Sequence, residues 1–378
     1  MRWCATGAAV AAAAALGLGG ASAAMAAPVV VIPVTCSVNS LSHAINFAPS
    51  DAILSLETGC VYRLSGSLPD VTSNLTIQGN GDVITRRGNA VFTALTDDGA
   101  RLAINRLTMT DFDGNFTDPG ALTNNGGTVT ITKSSFADNA GSLGGAIRNT
   151  NGGNLSATST NFVDNRALFG GAIYNGSTST AWLSTDEFAD NRAGSGGAIL
   201  NMGHLTVTGY SSSISGSSNF AGNVARGLLG AVKSPAPLIL SGYGGAIDNF
   251  LGTLTVAFTN FTENAASNDG GAVWNGGSAG TIDSSGFTGN FADDDGGAIA
   301  TISSLSLSRD TVSLNRANDD GGGIYVNGGT TSLSRTDVLT NSAGGTGGGI
   351  RRSSGFVSLT NFSLVALNHP NNCSGLFC

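Results

Sequence analysis

The chain has 378 residues, of which 56 are glycine, about twice the ordinary glycine content of a globular protein. Charged residues make up only 11% and apolar residues 41%, which excludes a solvated disordered chain, and the glycines lack the three-residue period of collagen. A net charge of −8 argues against a nucleic-acid partner, because binding to phosphates requires a basic surface.

Residues 1–26 have the pattern of a secretory signal peptide. Arg2 supplies a positive start, Ala8 to Leu18 is an apolar run, and Ala24-Met25-Ala26 is a cleavage site of the A-x-A type. The apolar run is shorter than the roughly 20 residues that cross a bilayer as a helix. We therefore expect a secreted protein, extracellular or at the cell surface, with no membrane span after signal removal.

Four cysteines follow the leader in two clusters at opposite ends of the chain, and they are Cys36, Cys60, Cys373 and Cys378. If the body is elongated, only cysteines of one cluster come within disulfide range, which is about 4.4–6.8 Å between Cα atoms. We therefore predict the bridges Cys36–Cys60 and Cys373–Cys378, which suit an oxidising compartment.

Residues 27–60 are predicted to form an N-terminal cap. Ser40 to Ala48 has the pattern of a short helix, with Ser40 as its N-cap and an apolar face formed by Leu41, Ala44, Ile45 and Ala48. Such a cap is expected because an open-ended stack of strands exposes unpaired edges, which repeat proteins cover. For the same reason residues 368–378, which leave the repeat pattern, are predicted to be the C-terminal closure.

From residue 112 onward the chain repeats itself with a period of about 26 residues. The motif Gly-Gly-Ala-Ile, with its variants, recurs at spacings of 26, 26, 48, 26, 26, 25 and 26 residues. It begins at Gly144, Gly170, Gly196, Gly244, Gly270, Gly296, Gly321 and Gly347. A second motif, Phe-x-x-Asn, begins at Phe136, Phe162, Phe188, Phe220, Phe261 and Phe287.

The period and composition predict an all-β fold. Helical repeats need long segments with a 3.6-residue period, which this sequence lacks, and a propeller blade needs about 40 residues. Each unit instead carries short β-branched runs separated by Gly, Asn and Ser, which favour turns. We predict one parallel β-helix over residues 61–367, with about 26 residues per coil.

Equivalent residues of neighbouring coils lie about 4.8 Å apart in such a solenoid. The motif phenylalanines, and isoleucines such as Ile147 and Ile173, are therefore expected to stack inside the tube. The motif asparagines are expected to form a structural ladder of side-chain amides along one turn. These asparagines are Asn139, Asn165, Asn191, Asn223, Asn264, Asn290, Asn315 and Asn341.

The 48-residue spacing marks an interruption of the repeat. Its extra residues include Val224 to Tyr243, a segment with Pro235, Pro237 and several apolar side chains. An insertion in a solenoid must leave the tube as a loop, and such loops often form a binding face. Two interpretations stay open, a binding loop and a decoration without function.

One acidic column is a candidate metal site. Asp269, Asp295 and Asp320 each precede the first glycine of a motif, so we expect them to stack. Stacked carboxylates repel one another unless water or a cation screens them, and Ca²⁺ accepts about six to eight oxygen ligands. The column is either a Ca²⁺ site or a solvated turn column. A calcium-dependent lyase would use that ion together with an arginine base, and Arg309 and Arg316 are the candidates nearest to the column in the sequence.

The paired motifs over residues 112–367 resemble the repeats of the chlamydial-type polymorphic outer membrane proteins. They are also similar to exported bacterial β-helix proteins of the pectin-lyase-like fold. The resemblance implies a right-handed parallel β-helix and, from the polymorphic proteins, an adhesive role. The pectin-lyase-like fold also includes polysaccharide lyases and glycosidases.

We expect an exported, non-enzymatic and monomeric protein for adhesion or for binding a polysaccharide or cell-surface glycan, with no catalytic residue and no resident cofactor. The alternative is a polysaccharide lyase or glycoside hydrolase, with Ca²⁺ at the acidic column. Hydrolysis of a glycosidic bond needs two carboxylates across the bond. The sequence contains neither the Gly-His-Gly nor the Arg-x-Lys pattern of polygalacturonase-like enzymes.

Overall fold

Strands in this protein pair in parallel with the coil before and the coil after them. The computed structural model describes residues 29–113, 120–210, 216–227 and 242–378. In these ranges the chain forms a single parallel β-solenoid of about 12 turns, with about 26 residues per turn and only 3% helix. The predicted fold class is confirmed, whereas the predicted signal peptide lies outside the described residues.

Each regular coil contains four short strands, which stack into four columns. The Phe column contains the phenylalanine of Phe-x-x-Asn, and the short column follows the asparagine. The Ile column begins at the isoleucine of Gly-Gly-Ala-Ile, and the alternating column completes the coil with residues that are buried and exposed in turn. The short column forms a sheet of 8 strands, and the other columns belong to a sheet of 32 strands.

The first coils and the last turn contain the less regular strands, which are Val31–Val34, Ala52–Leu56, Val61–Leu64, Leu75–Arg86, Arg101–Thr110 and Cys373–Ser374. The Phe column comprises Ser135–Ala137, Asn161–Val163, Glu187–Ala189, Ser218–Ala221, Thr259–Thr262, Gly286–Thr288, Thr311–Ser313, Asp337–Leu339 and Leu364–Ala366. The short column comprises Ala140–Leu143, Arg166–Phe169, Arg192–Ser195, Val224–Ala225, Ala265–Ala266, Phe291–Ala292, Arg316–Ala317 and Ser342–Ala343.

The Ile column comprises Leu95–Asp98, Leu122–Asn125, Ile147–Thr150, Ile173–Asn175, Ile199–Asn201, Ile247–Asn249, Val273–Asn275 and Ile299–Thr301. The alternating column comprises Thr128–Thr132, Asn154–Thr158, Thr180–Ser184, His204–Thr208, Thr253–Ala257, Ala279–Asp283 and Ser304–Ser308. In the last two coils these columns merge into the long strands Ile324–Ser334 and Ile350–Thr360.

A file of stacked aromatic rings runs through the interior. From Phe136 to Phe287, neighbouring rings have centroids 4.5–5.5 Å apart and planes inclined by at most 15°. All of these rings are fully buried, and Val312 and Val338 continue the file. Burial of each ring contributes about 1.5–3 kcal/mol, so the file is a large part of the apolar stabilisation. The predicted interior stacking is confirmed.

The motif asparagines form the predicted ladder. Each side-chain amide donates from Nδ2 to Oδ1 of the asparagine in the next coil, at 2.9–3.0 Å, from Asn139 through to Asn368. The same Nδ2 donates to the main-chain oxygen of the preceding coil, as Asn165 does to Phe136. The backbone N–H of Asn165 in turn donates to Oδ1 of Asn191. The ladder therefore satisfies buried main-chain groups as well as its own amides.

A second asparagine ladder was not predicted. It runs through the residue two positions after the motif isoleucine, with Nδ2 to Oδ1 distances of 2.7–2.8 Å. Its members are Asn124, Asn149, Asn175, Asn201, Asn249 and Asn275. It ends at Thr301, whose Oγ1 accepts from Asn275 at 3.1 Å, because the next coil has Val326 there. The second ladder thus lies within the Ile column, and the first lies at the turn that precedes the short column.

The helix α1 covers the N-terminal end and spans Val38–Phe47. The prediction of Ser40 as its N-cap is wrong, because Ser37 is the N-cap. The main-chain oxygen of Ser37 accepts the Leu41 N–H at 3.0 Å, so the helix begins at Val38 and its N-cap lies three residues before Ser40. Leu41, Ala44 and Ile45 form the buried face of the helix, as predicted. Ala48, the fourth predicted member of that face, is instead the C-cap and is partly buried against the core.

Both predicted disulfides are present. Their Cα atoms are 5.4 Å apart in Cys36–Cys60 and 6.1 Å apart in Cys373–Cys378. At the C-terminal end, Cys373–Ser374 pairs only with the beginning of the strand Ile350–Thr360. Phe356 and Phe362, farther along the last coil, are 58% and 99% exposed. Residues 368–378 therefore cover one side of the last coil.

The insertion is narrower than Val224 to Tyr243. Val224–Ala225 stays in register with the short column, and the Tyr243 carbonyl accepts from the Gly196 N–H at 2.9 Å. Both ends of the predicted loop thus belong to regular coils. The central residues 228–241, which include both prolines, lie outside the described residues.

A buried turn position just before the Phe column holds small hydroxyl residues in most coils and aspartates in two. The residues at this position are Ser134, Thr160, Asp186, Ser218, Thr259, Ser285, Asp310 and Thr336. The Asp310 carboxylate accepts from the N–H groups of Ser285, at 2.8 Å, and Ser308, at 2.7 Å. Burial nevertheless raises its pKa to about 8, with the charge of Asp283 adding and that of Arg309 opposing. The carboxylate of each aspartate thus accepts a backbone N–H of the preceding coil, as a hydroxyl does at this position in other coils.

We predict that Asn191→Ala destabilises the protein by at least about 2 kcal/mol, since it leaves the buried Asn165 N–H without its acceptor. Urea denaturation followed by circular dichroism measures the change. Asn161→Ala is the matched control, because Asn161 is exposed, and we expect it to stay within about 0.5 kcal/mol of wild type. Equal effects of the two substitutions would contradict a structural role for the ladder.

We predict that Asp310→Ser makes stability less dependent on pH. A folded-state pKa of about 8, above the ordinary value of 3.8, gives stability that is complete below about pH 4 and lost as pH rises towards 8. Between pH 5 and pH 8 the melting temperature should therefore fall less in the variant, by at least about 2 °C. Asp190→Ser, at an exposed turn, is the control. A variant whose melting temperature follows the wild-type pH dependence would refute the assignment.

Candidate functional site

The paired glycines bend the chain between the short column and the Ile column. At Gly244 the backbone has φ 59°, and a Cβ there would clash with the Ile247 carbonyl oxygen, so that glycine is required. The bend brings two outward-facing rows of side chains together. We call the surface that they form the glycine-turn face.

The glycine-turn face consists of a pre-glycine row and a post-isoleucine row. The pre-glycine row is Leu143, Phe169, Ser195, Tyr243, Asp269, Asp295, Asp320 and Thr346. The post-isoleucine row is Arg148, Tyr174, Leu200, Asp248, Trp274, Ala300, Tyr325 and Arg351. The first row contains the predicted acidic column, whose stacking is confirmed.

The two rows contact each other with an offset of one coil. Ser195 Oγ donates to Asp248 Oδ2 at 2.6 Å, in the following coil. With the same offset the rings of Tyr243 and Trp274 lie 4.9 Å apart between centroids. The pattern continues where Tyr325 hydrogen-bonds to Asp295, and where Arg351 Nε lies 3.2 Å from Asp320 Oδ2.

The acidic column is held by backbone groups. Asp269 Oδ1 accepts from the Asp295 N–H at 3.2 Å, and Asp295 Oδ1 accepts from the Asp320 N–H at 2.8 Å. Asp320 Oδ1 accepts from both the N–H and the hydroxyl of Thr346. Each carboxylate therefore stabilises the turn of the next coil. This role follows from the winding of the chain and was not visible in the sequence.

The structure does not gather the three predicted calcium ligands around one point. Among the described residues, the only three or more Cys, His, Asp or Glu side chains with ligand atoms within 4.8 Å of one another are Cys36, Glu57 and Cys60. Arg309, named with the calcium hypothesis, pairs instead with Asp283. The arginine that reaches the acidic column is Arg351, which sequence reasoning missed.

Asp248 is a fully buried carboxylate on this face. Its Oδ2 accepts from Ser195, whereas its Oδ1 has no hydrogen-bond partner in the part of the chain that the structure describes. Burial raises the pKa of Asp248 to about 7 against the opposing effect of the Ser195 hydroxyl. The Asp248 charge acts in turn on Tyr243, whose pKa is raised mainly by burial.

Asp269 is a second carboxylate of this face with a raised pKa. Burial raises its pKa to about 7, the Asp295 N–H opposes the shift, and the charges of Asp295 and Asp294 add to it. The one-coil offset places Asp269 opposite Ala300, whose side chain offers no polar partner. Asp269 is half-buried, and its charge acts on both Tyr243 and Tyr325.

Aromatic side chains lie near Asp269 on this face. The ring centroids of Tyr243 and Phe250 lie 4.9 and 6.3 Å from that of Trp274, and Tyr325 lies two coils beyond Trp274. Tyr243 and Tyr325 are half-buried, whereas Trp274 is buried. A pocket of about 540 Å³ on the short column adjoins the face through Asn268. Half-buried tyrosines and carboxylates thus lie near one another on the glycine-turn face.

Comparison of the chain with protein-family models, curated proteins and solved structures gave no match. None of the helical segments within the described residues is long and apolar enough to cross a bilayer. The conclusions about function therefore rest on the glycine-turn face itself.

We predict that the fluorescence of Trp274 titrates with a midpoint near pH 7, because Asp248 lies beside it in the Ile column and has a pKa of about 7. The measurement uses a variant without Trp3 and Trp182, so that Trp274 is the only emitter. Asp248→Asn should abolish the transition, and Asp190→Asn, at an exposed turn, should preserve it. A transition that survives Asp248→Asn would show that another group is responsible.

Proposed function

We propose that this protein is an exported, non-enzymatic β-solenoid that binds a glycan across the glycine-turn face, for adhesion outside the cell. The proposal includes the kinship suggested by the paired motifs, namely to right-handed β-helix proteins of the polymorphic outer membrane and pectin-lyase-like groups. The observation that carries it is the alignment of aromatic rings and carboxylates along one strip of the tube.

The chemistry of this strip suits a sugar. A pyranose ring has an apolar face of C–H groups and an edge of hydroxyl donors and acceptors. Half-buried tyrosines present rigid apolar surface together with a polar tip, and carboxylates accept hydrogen bonds from hydroxyls. Tyr243 and Tyr325 flank Asp269 in this way, so both parts of a sugar find a partner. Because the coils repeat, successive sugars of an oligosaccharide can lie along the tube axis.

A second candidate function, glycoside hydrolysis, is favoured by one observation. Two carboxylates on the same face, Asp248 and Asp269, have their pKa raised by burial to about 7, the range that suits a proton donor near neutral pH. Release of reducing ends from a bound oligosaccharide, lost in Asp248→Asn, would replace the binding proposal with this one.

We predict that Tyr243→Ala and Tyr325→Ala each weaken binding of glycan-array ligands by about tenfold or more, because each removes a stacking surface worth about 1.4 kcal/mol. Tyr210→Ala is the matched control, since Tyr210 is 63% exposed and lies outside the glycine-turn face. The array should contain neutral, amino and uronic-acid oligosaccharides. Binding that is lost equally in all three variants, or absent for every glycan, would overturn the proposal.

A further inference from the structure

We propose that the second asparagine ladder begins with a protonated aspartate, Asp97, whose O–H donates to Asn124 Oδ1, and that this proton keeps residues 65–74 closed over the start of the ladder. We call residues 65–74 the edge segment. Its opening depends on pH and is independent of the proposed glycan binding.

Asp97 occupies the ladder position in the coil before Asn124. It is the register partner of Asn124, just as Asn124 is the partner of Asn149 in the coil after it. In every later rung up to Asn275, Nδ2 of one asparagine donates to Oδ1 of the next. On its other side Asp97 bridges to Val71, which is apolar and cannot extend the ladder. Asp97 is therefore the first rung.

The backbone fixes the direction of the ladder, so Asn124 cannot turn its amide to serve a charged Asp97. Asn124 Oδ1 accepts the Gly127 N–H at 3.0 Å, and Asn124 Nδ2 donates to main-chain oxygens as well as to Asn149. A reversed amide would lose these bonds and place Nδ2 against an N–H donor. The oxygen of Asn124 is therefore directed to Asp97, and the hydrogen atom between them must come from Asp97.

The Asp97 carboxyl group lies in a place built for a donor. It is fully buried, and neither oxygen has a hydrogen-bond partner in the described part of the chain. A Cβ at Gly127 would collide with Asp97 Oδ2, just as a Cβ at Gly153 would collide with Nδ2 of Asn124, so Oδ2 takes the place of an amide nitrogen. An ionised carboxylate has only acceptors, whereas a protonated one has an O–H donor. Protonation thus completes the rung and removes an unpaired buried charge.

The surroundings of Asp97 also favour the neutral form. Burial raises its pKa to about 7, the charge of Asp98 adds to the shift, and the nearby Ala100 N–H opposes it. The partner strand Leu122–Asn125 has no titratable side chain. The charged residues of the adjoining segments are exposed, and they are Asp70, Asp98 and Arg101. No buried cation therefore stands ready to hold the ionised form.

The edge segment is the side from which water can reach Asp97. It covers the strand Leu95–Asp98 through the Leu68 and Val71 N–H groups and the Val71 carbonyl, with hydrogen bonds of 2.8–3.0 Å. Leu68 and Val71 are its buried apolar side chains. On the other side the regular coils follow one another without interruption up to Asn201. Local opening therefore costs least at the edge segment.

The proton links this opening to pH. In the closed form Asp97 has a pKa of about 7, whereas the hydrated side chain of the open form has the ordinary pKa of 3.8. Because the closed form has the higher pKa, closure is most stable below about pH 4 and weakens as pH rises towards 7. For one proton the weakening is up to about tenfold per pH unit.

The test follows hydrogen exchange of the edge segment by mass spectrometry from about pH 4.5 to about pH 7.5, with rates corrected for the intrinsic pH dependence of exchange. We expect protection in the wild type to fall by at least about tenfold over this range. Asp97→Asn should keep the edge segment protected at every pH, because its amide donates to Asn124 Oδ1 and has no proton to lose. Asp97→Ala, which lacks the donor, should leave it poorly protected at every pH.

Asp98→Asn is the matched control, because it removes the same charge from the neighbouring exposed side chain, and it should retain the wild-type pH dependence. The inference fails if wild-type protection is independent of pH, if the dependence persists in Asp97→Asn, or if Asp98→Asn abolishes it equally. Protection in Asp97→Ala as high as in Asp97→Asn would show that loss of the charge suffices and would overturn the ladder bond. Thermal denaturation verifies that each variant is folded, and no glycan is present in these experiments.

Discussion

The fold depends on the hydrogen bonds of buried asparagine side-chain amides, which have no water to bond to in the interior. Each motif asparagine bonds to the coil before it and the coil after it, as Asn191 does with Phe162 and Asn223. A slip of register would leave these groups unpaired at about 1–3 kcal/mol each. The stacked phenylalanine rings belong to an apolar core that also contains buried Leu, Ile and Val side chains of the coils, and these apolar contacts tolerate small shifts. We therefore infer that the amides set the register and that burial of the whole apolar core supplies the driving force.

This division of labour frees the outer surface. Because the interior demands only a few residue types at fixed positions, side chains that point outward from the same strands can vary more from coil to coil than the buried ones. The glycine-turn face changes accordingly from Leu143 and Phe169 at one end to carboxylates and aromatics in its middle. The contacts between its two rows are made between coils rather than within them, so the face depends on the stacking of coils although each coil contributes only two side chains to it.

Sequence periodicity predicted the coil, the phenylalanine file and the first amide ladder, because these features repeat at one position in nearly every unit. The second ladder was not predicted, because Asn149 and its equivalents follow a residue that varies from Arg to Tyr to Trp. The role of the acidic column was not predicted for another reason. Asp269 bonds to the backbone of Asp295, and this pairing depends on how far the chain advances per coil. The Tyr243–Trp274 stack likewise depends on a contact between coils, which linear spacing does not reveal.

The ladder also tolerates unequal amounts of chain between its rungs. Asn191 and Asn223 are 32 positions apart in the sequence, and Asn223 and Asn264 are 41 apart. Their side-chain hydrogen bonds are nevertheless 2.9 Å long, the same as the bond between Asn264 and Asn290, which are 26 positions apart. Unequal lengths of chain between the rungs thus leave the internal hydrogen bonds unchanged. In the same way, duplication or loss of one whole unit preserves every internal bond while adding or removing one pair of outward side chains. The number of units can therefore change in evolution while each unit keeps its own outward side chains.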